Sequence, residues 1–182
     1  MRVIAGEARG VLLRPPPRNI RPTMDRIKEA IFSSLGEAVC GAQVLDLFAG
    51  SGAMGIEALS RGAASAVFVD VDPHCTDCVR ENLRRAKLEA SVQTMDALKF
   101  LELYAEGRFD LIFADPPYAK SSAGRNLASE LLELPSTNGA LRPGGTLVLE
   151  RRAGSKEPEA SSLSLVRLRC YGESEIAYYV AA

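Results

Sequence analysis

Two stretches of the 182-residue chain carry residue types that could do chemistry together. The first is Val44-Leu45-Asp46-Leu47-Phe48-Ala49-Gly50-Ser51-Gly52, an apolar run that holds a carboxylate near its end and then turns through glycines. Such a run reads as a buried strand followed by a turn that lets backbone approach a ligand, then the start of a helix. The second is Asp115-Pro116-Pro117-Tyr118, placed directly after the apolar stretch 110–114. Consecutive prolines fix the backbone and remove two N–H donors, which leaves the carbonyls of Asp115 and Pro116 available to a pocket. A carboxylate and a carbonyl together can accept both hydrogens of a planar amino group, while Tyr118 stacks on the ring that bears it. An exocyclic base amine fits this description. Its lone pair is delocalised, and two acceptors would aim it and stabilise the positive charge that develops on nitrogen attack.

The glycine loop is ambiguous on its own. Gly50-x-Gly52-x-x-Gly55 satisfies the dinucleotide pattern, and Asp70 lies where a ribose-binding acid belongs. Asp46 separates the alternatives, because a carboxylate beside the helix start would repel a pyrophosphate. It suits a ligand whose near end is cationic. S-adenosylmethionine (AdoMet), with an ammonium, a sulfonium and no phosphate, meets that condition. Gly50 and Gly52 would admit its methionine part, Asp70 would accept the ribose hydroxyls, Val71 would pack on the adenine, and Asp96 would receive the adenine amine. Phe48 and Ala97, on the same loops, complete the expected donor set. Asp96 is also a plausible helix cap.

These sites need a scaffold, and the pattern supplies one. Strands are expected at 43–47, 66–70, 91–95, 110–114 and 146–150, with helices at about 52–60, 74–87, 97–104 and 126–134. Repeated strand-helix-strand units imply a parallel sheet with helices on both faces. Strands at 163–171 and 176–180 have no room for a helix between them and should form an antiparallel hairpin. Residues 154–162 read as an exposed loop. Before the sheet, two short β-prone pieces around Gly6 to Gly10 suggest a hairpin, Pro15-Pro16-Pro17 an extended link, and Ile27, Ala30, Ile31, Ser34 and Leu35 a helix stopped by Gly36. We expect residues 1–36 to be a basic appendage that contacts RNA and residues 37–182 the AdoMet-dependent domain.

Composition narrows the classes. Charged residues make up 25% and apolar residues 47%, a globular balance without the signature of disorder. No apolar run is long enough to cross a bilayer, and the first residues do not resemble a signal peptide, so a cytoplasmic protein is expected. Four irregularly spaced cysteines suit a reducing compartment. Cys75-x-x-Cys78 lacks a second ligand pair, so helix residues in register are the better reading and no metal is expected. Net charge is only −1, but residues 1–28 hold seven cations, from Arg2 to Lys28, against Glu7 and Asp25, a balance of +5 that leaves −6 elsewhere. Such asymmetry points to a localised surface for nucleic acid. The base would have to leave its stack to reach the pocket.

With these residues placed, the chain resembles the RsmD family of bacterial small-subunit rRNA guanine-N2 methyltransferases. The resemblance rests on Arg2-Val3-Ile4-Ala5-Gly6, Arg21-Pro22-Thr23-Met24-Asp25-Arg26, the Leu45 to Gly52 loop, Glu57-Ala58-Leu59-Ser60-Arg61-Gly62, Asp115-Pro116-Pro117-Tyr118 and Tyr171-Gly172-Glu173. It implies a Rossmann-like class I AdoMet-dependent methyltransferase fold: a seven-stranded, mostly parallel sheet with a C-terminal antiparallel hairpin and a small N-terminal hairpin and helix. It further implies methylation of the N2 amine of guanine 966 in 16S rRNA, within an assembled or assembling subunit; a monomer is expected. Asp115, Pro116 and Tyr118 would then be catalytic. Thr23 and Arg26 would border the active site, and Arg21 would help to hold RNA. Asp70 stands where the family often has glutamate, and Tyr118 where it often has phenylalanine. Competing readings are a DNA adenine-N6 methyltransferase, a nicotinamide oxidoreductase and a non-catalytic RNA-binding module.

Overall fold

The structure, a computed structural model, describes residues 1–15, 24–104, 107–118, 125–156 and 163–181. In chain order the elements are α1 (Met24–Leu35), a 3-10 turn (Gly36–Val39), β1 (Gln43–Leu47), α2 (Ala53–Ser60), β2 (Ser65–Asp70), α3 (Pro73–Ala86), β3 (Ser91–Thr94) and α4 (Ala97–Tyr104). They continue with β4 (Phe109–Ala114), α5 (Leu127–Glu133), α6 (Pro135–Ala140), β5 (Leu141–Arg152), β6 (Ser164–Tyr171) and β7 (Ser174–Val180).

The seven strands form one sheet in the order β3-β2-β1-β4-β5-β7-β6. β1 to β5 pair in parallel, and β7 inserts antiparallel between β5 and β6. This is the class I methyltransferase topology expected from the sequence. The order reverses between β1 and β4, and open α/β sheets place ligands beyond the strand ends at such a point. β1 is buried on both faces because its neighbours are parallel and helices cover both sides, which explains its unbroken apolar run. One core packs α1, α2 and α3 on the face that carries Val44, Phe113, Val148 and Ile176. The other packs α4 and α5 on the face that carries Leu45, Ile112, Leu149 and Tyr179.

Local chemistry explains most boundaries. Asp72 caps α3 by accepting the His74 N–H at 2.9 Å, with Pro73 at the first helical position, and Lys87 closes the helix in the left-handed region. Asn126 caps α5 through the Ser129 N–H. Two elements depart from expectation. β5 begins at Leu141 rather than 146, running through Pro143-Gly144-Gly145, where a register shift between Phe109 and Leu111 accommodates it. α6 occupies a Pro-Ser-Thr-Asn-Gly stretch for which no element was expected, with Pro135 at its first helical position.

The N-terminal hairpin is present as a single antiparallel bridge, Arg2 to Leu12, with the Val3 N–H donating to Val11 O at 3.0 Å. It lies directly on the end of α2. The Glu7 N–H donates to Ser60 O at 2.9 Å, and the Ser60 hydroxyl donates to Ala5 O at 2.6 Å. A Cβ at Gly6 would sit 1.6 Å from Ser60 O, so only glycine allows this approach. Glu57, fully buried on α2, accepts the Ile4 and Ala5 N–H groups at 2.8 and 3.0 Å, the Arg61 Nε at 2.8 Å and pairs with Lys28 Nζ at 3.1 Å. Lys28 is itself buried and donates to Arg2 O at 2.6 Å. The count of cations in residues 1–28 must therefore lose Lys28, which ties α1 to α2 and faces no solvent. Pro16, Pro17, Arg18, Arg21, Thr23 and residues 157–162 lie outside the described residues. Among the described residues no helix is long and apolar enough to cross a membrane.

Candidate active site

The glycine loop is built by backbone conformation before any side chain is considered. Phe48, the residue after β1, takes a left-handed φ of 56°, and Gly50 and Gly52 follow at 55° and 74°. For phenylalanine such a conformation costs about 1–3 kcal/mol, which the surrounding sheet must hold. Nothing in the sequence marked Phe48 as strained. The Gly50 N–H donates to Asp70 Oδ2 at 2.8 Å, and Asp70 Oδ1 accepts the Asp72 N–H at 2.9 Å, so the carboxylate at the end of β2 is fixed against the loop. Asn82, buried on α3, donates from Nδ2 to Ser51 O and Arg14 O, both at 2.9 Å, and accepts the Arg14 N–H at 2.8 Å. It joins the loop to the N-terminal segment, a role that nothing in its local sequence signals.

Gly55 has a different task. A Cβ there would meet the Phe68 ring at 2.4 Å and Asp46 Oδ2 at 3.1 Å, so the third glycine of the pattern lets α2 close on β2. Asp46 accepts the Gly55 N–H at 2.9 Å and is only 4% exposed. Burial pushes its carboxyl up to about 8, and the nearby Asp70 and Asp115 charges add to this, while the Gly55 N–H works against it.

A single cavity of about 1170 Å³ runs from this loop to the fourth and fifth strands. Its donor-side wall holds Asp46, Phe48, Gly50, Asp70, Val71, Asp96 and Ala97. Gly52 lies outside that lining and instead caps α2 with its left-handed backbone. Val71 is 67% exposed, an apolar surface an adenine would cover. Asp96 caps α4 through the Lys99 N–H at 3.0 Å and also lines the cavity. Three carboxyl groups, Asp46, Asp70 and Asp96, against apolar walls fit a cationic nucleoside such as AdoMet and are hostile to a pyrophosphate.

The same cavity is lined by Asp115, Pro116, Pro117 and Tyr118 after β4, with Arg26 and Ile27 of α1. Pro116 is buried and Asp115 exposed at the mouth. The Tyr118 hydroxyl shares a 2.8 Å hydrogen bond with Ser174 Oγ and donates to Glu150 Oε1 at 3.4 Å. Glu150 and the turn from Tyr171 to Ser174 also line the cavity. None was assigned a site role from sequence, since Glu150 comes there through the pairing of β5 with β4 and the Tyr171 to Ser174 turn through the insertion of β7 beside β5. Cys75 lines the cavity, and Cys78 donates to Arg14 O at 3.4 Å. Among the described residues no group of three or more His, Cys, Asp or Glu side chains is arranged to hold a metal ion.

Sheet order, glycine loop and the proline-rich turn after β4 together define a class I AdoMet-dependent methyltransferase, related to the RsmD rRNA methylases. The chain belongs to the family described as conserved hypothetical protein 95, whose model matches residues 1–180. It is 38% identical to YlbH of Bacillus subtilis, described as a candidate rRNA methyltransferase, over 98% of both chains. It is 34% identical to the ribosomal RNA small subunit methyltransferase D of Escherichia coli K12, over 98% of this chain and 87% of that one. A solved Escherichia coli structure, yhhF, described as a candidate methyltransferase, superposes with a TM-score of 0.84 at 34% identity, covering 100% of this chain and 97% of the other.

Proposed function

We propose that the protein methylates the exocyclic N2 amine of a guanine in 16S rRNA, at guanine 966, acting as a cytoplasmic monomer on the small subunit or its assembly intermediate. The observation that carries this reading is the single cavity lined both by Asp46 and by Asp115 to Tyr118, beside the β1–β4 switch point. Relatives whose names specify small-subunit rRNA support the substrate class. AdoMet would supply an electrophilic methyl on a sulfonium, held by Asp46, Asp70, Asp96 and the Gly50 loop.

The residues of this chain do the rest. Asp115 and the Pro116 carbonyl accept the two amine hydrogens, so the nitrogen lone pair is drawn out of the ring plane and toward the methyl. Tyr118 supports the base from one side. As the N–C bond forms and the S–C bond breaks, positive charge grows on nitrogen, and the Asp115 carboxylate stabilises it and can take the proton. Arg26, exposed at the cavity mouth, with Arg21 and Thr23 before it in the chain, would hold flanking phosphates. Tritiated AdoMet and small subunits that lack the modification test this. Guanine at 966 should take up label, and replacing it by adenine should abolish uptake; label retained after that replacement would refute the assignment.

A further inference from the structure

We propose that the Glu150 carboxylate reads the N1–H of the target guanine and is the residue that separates guanine from adenine. The inference rests on the guanine-methyltransferase reading and adds to it a base-recognition contact.

Guanine and adenine both present an exocyclic amine, and a carboxylate with a carbonyl accepts the hydrogens of either. Asp115 and Pro116 therefore cannot tell the two bases apart. What differs is the ring nitrogen beside the amine: guanine N1 carries a hydrogen and adenine N1 a lone pair. A discriminating group must be an acceptor, must stand next to the amine pocket, and must lie in the plane of a base supported by Tyr118.

Glu150 meets these conditions. Ala114 and Leu149 are register partners on the parallel strands β4 and β5, which lie about 4.8 Å apart, and Asp115, just past the end of β4, and Glu150 are the residues that follow them. Phe113 and Val148 are also register partners, and both belong to the core on the α1 side. By strand alternation Glu150 points to that same face, and Asp115 lines the same cavity. Glu150 lines the cavity, and its Oε1 accepts the Tyr118 hydroxyl at 3.4 Å, which ties the carboxylate to the ring under the base. A carboxylate only accepts, and it can accept several hydrogen bonds at once. With the guanine amine on Asp115, its N1–H falls toward Glu150; adenine would set a lone pair against the charge.

The test uses 16S rRNA built by ligation with guanine or 2-aminopurine at the target position and assembled into small subunits. 2-Aminopurine keeps the N2 amine and lacks both the N1 hydrogen and the O6 carbonyl, so it is the change of the ratio on Glu150 substitution that reports on N1. The wild type should favour guanine by about 10- to 100-fold in kcat/KM. Glu150→Ala should bring that ratio close to what the amines' intrinsic reactivity gives. Glu150→Gln should lower it as well while keeping guanine activity, since an amide can accept from N1–H or donate to a bare N1. Tyr118→Phe, which removes only the hydroxyl contact, should retain the wild-type ratio. Binding of the two RNAs in the presence of adenosylhomocysteine, followed through 2-aminopurine fluorescence and competition, should show the same loss of preference. A merely structural Glu150 would slow both substrates equally, and a ratio unchanged in Glu150→Ala would overturn the proposal. Transfer by the wild type to neither RNA would overturn the guanine-methyltransferase reading and this inference with it.

Discussion

Asp46 Oδ2 receives the Gly55 N–H at 2.9 Å from the first turns of α2, so the carboxyl group that lines the cavity is also the one that ties the start of α2 to the end of β1. Buried and near Asp70 and Asp115, it has a raised affinity for protons, with a pKa of about 8. A cation bound beside it would favour the ionised form. AdoMet binding at pH 7 should therefore release a fraction of a proton, seen by calorimetry as a dependence of the binding enthalpy on buffer ionisation. The release should fade above about pH 9, where Asp46 is already ionised, and should be absent in Asp46→Asn.

The same group sets a stability trend. Its folded pKa lies above the unfolded value of 3.8, so the folded state binds the extra proton and the ligand-free protein loses stability as pH rises from about 4 toward 8. Asp46→Asn keeps an acceptor for Gly55 and removes the buried charge. Thermal melts without ligand should show the variant more stable by several degrees at pH 8, with the gap closing toward pH 4, while its affinity for AdoMet falls about tenfold or more.

Glu57 carries the opposite sign. Burial alone would raise its carboxyl, but the Ile4 N–H, Lys28 and Arg61 together hold it below the usual value of 4.5. Its contribution is present above that pH and is lost as pH falls through the lowered value. Glu57→Ala would leave Lys28 buried and unpaired and two hairpin amides without acceptors. A loss of about 3–5 kcal/mol is expected, with a drop of roughly 10 °C in Tm. Lys28→Met together with Glu57→Leu should be milder than Glu57→Ala alone.

The Tyr118–Ser174 bond separates orientation from stacking. Ser174→Ala removes one neutral hydrogen bond, so methyl transfer should slow only a few-fold. Tyr118→Ala removes the platform for the base and should cost about 10- to 100-fold in kcat/KM for RNA, while AdoMet affinity measured by calorimetry stays near wild type. Equal effects from the two substitutions would show that the ring does not carry the base.

What could be read from the sequence is what local pattern determines. β1 with its terminal Asp46, the glycines that need left-handed backbone, and Asp115-Pro116-Pro117-Tyr118 each announce themselves within a few residues, and strand-helix alternation yields the sheet. Glu150, Ser174 and Asn82 do not, because each acquires its neighbours through pairings 31 to 68 residues apart in the chain. Lys28 misled for the same reason: charge counted along the chain could not reveal that Glu57, fully buried on α2, pairs with it. Pro143-Gly144-Gly145 reads as a turn, and only its edge-on pairing with Ala181 shows it to be strand.

The identity of the methylated nucleoside tests the central claim most directly. Small subunits lacking the modification, incubated with the protein and AdoMet, should on digestion and mass analysis yield N2-methylguanosine from wild type, with the yield reduced at least about 100-fold by Asp115→Ala. Formation of N6-methyladenosine, or of N2-methylguanosine at an undiminished rate in Asp115→Ala, would contradict the account.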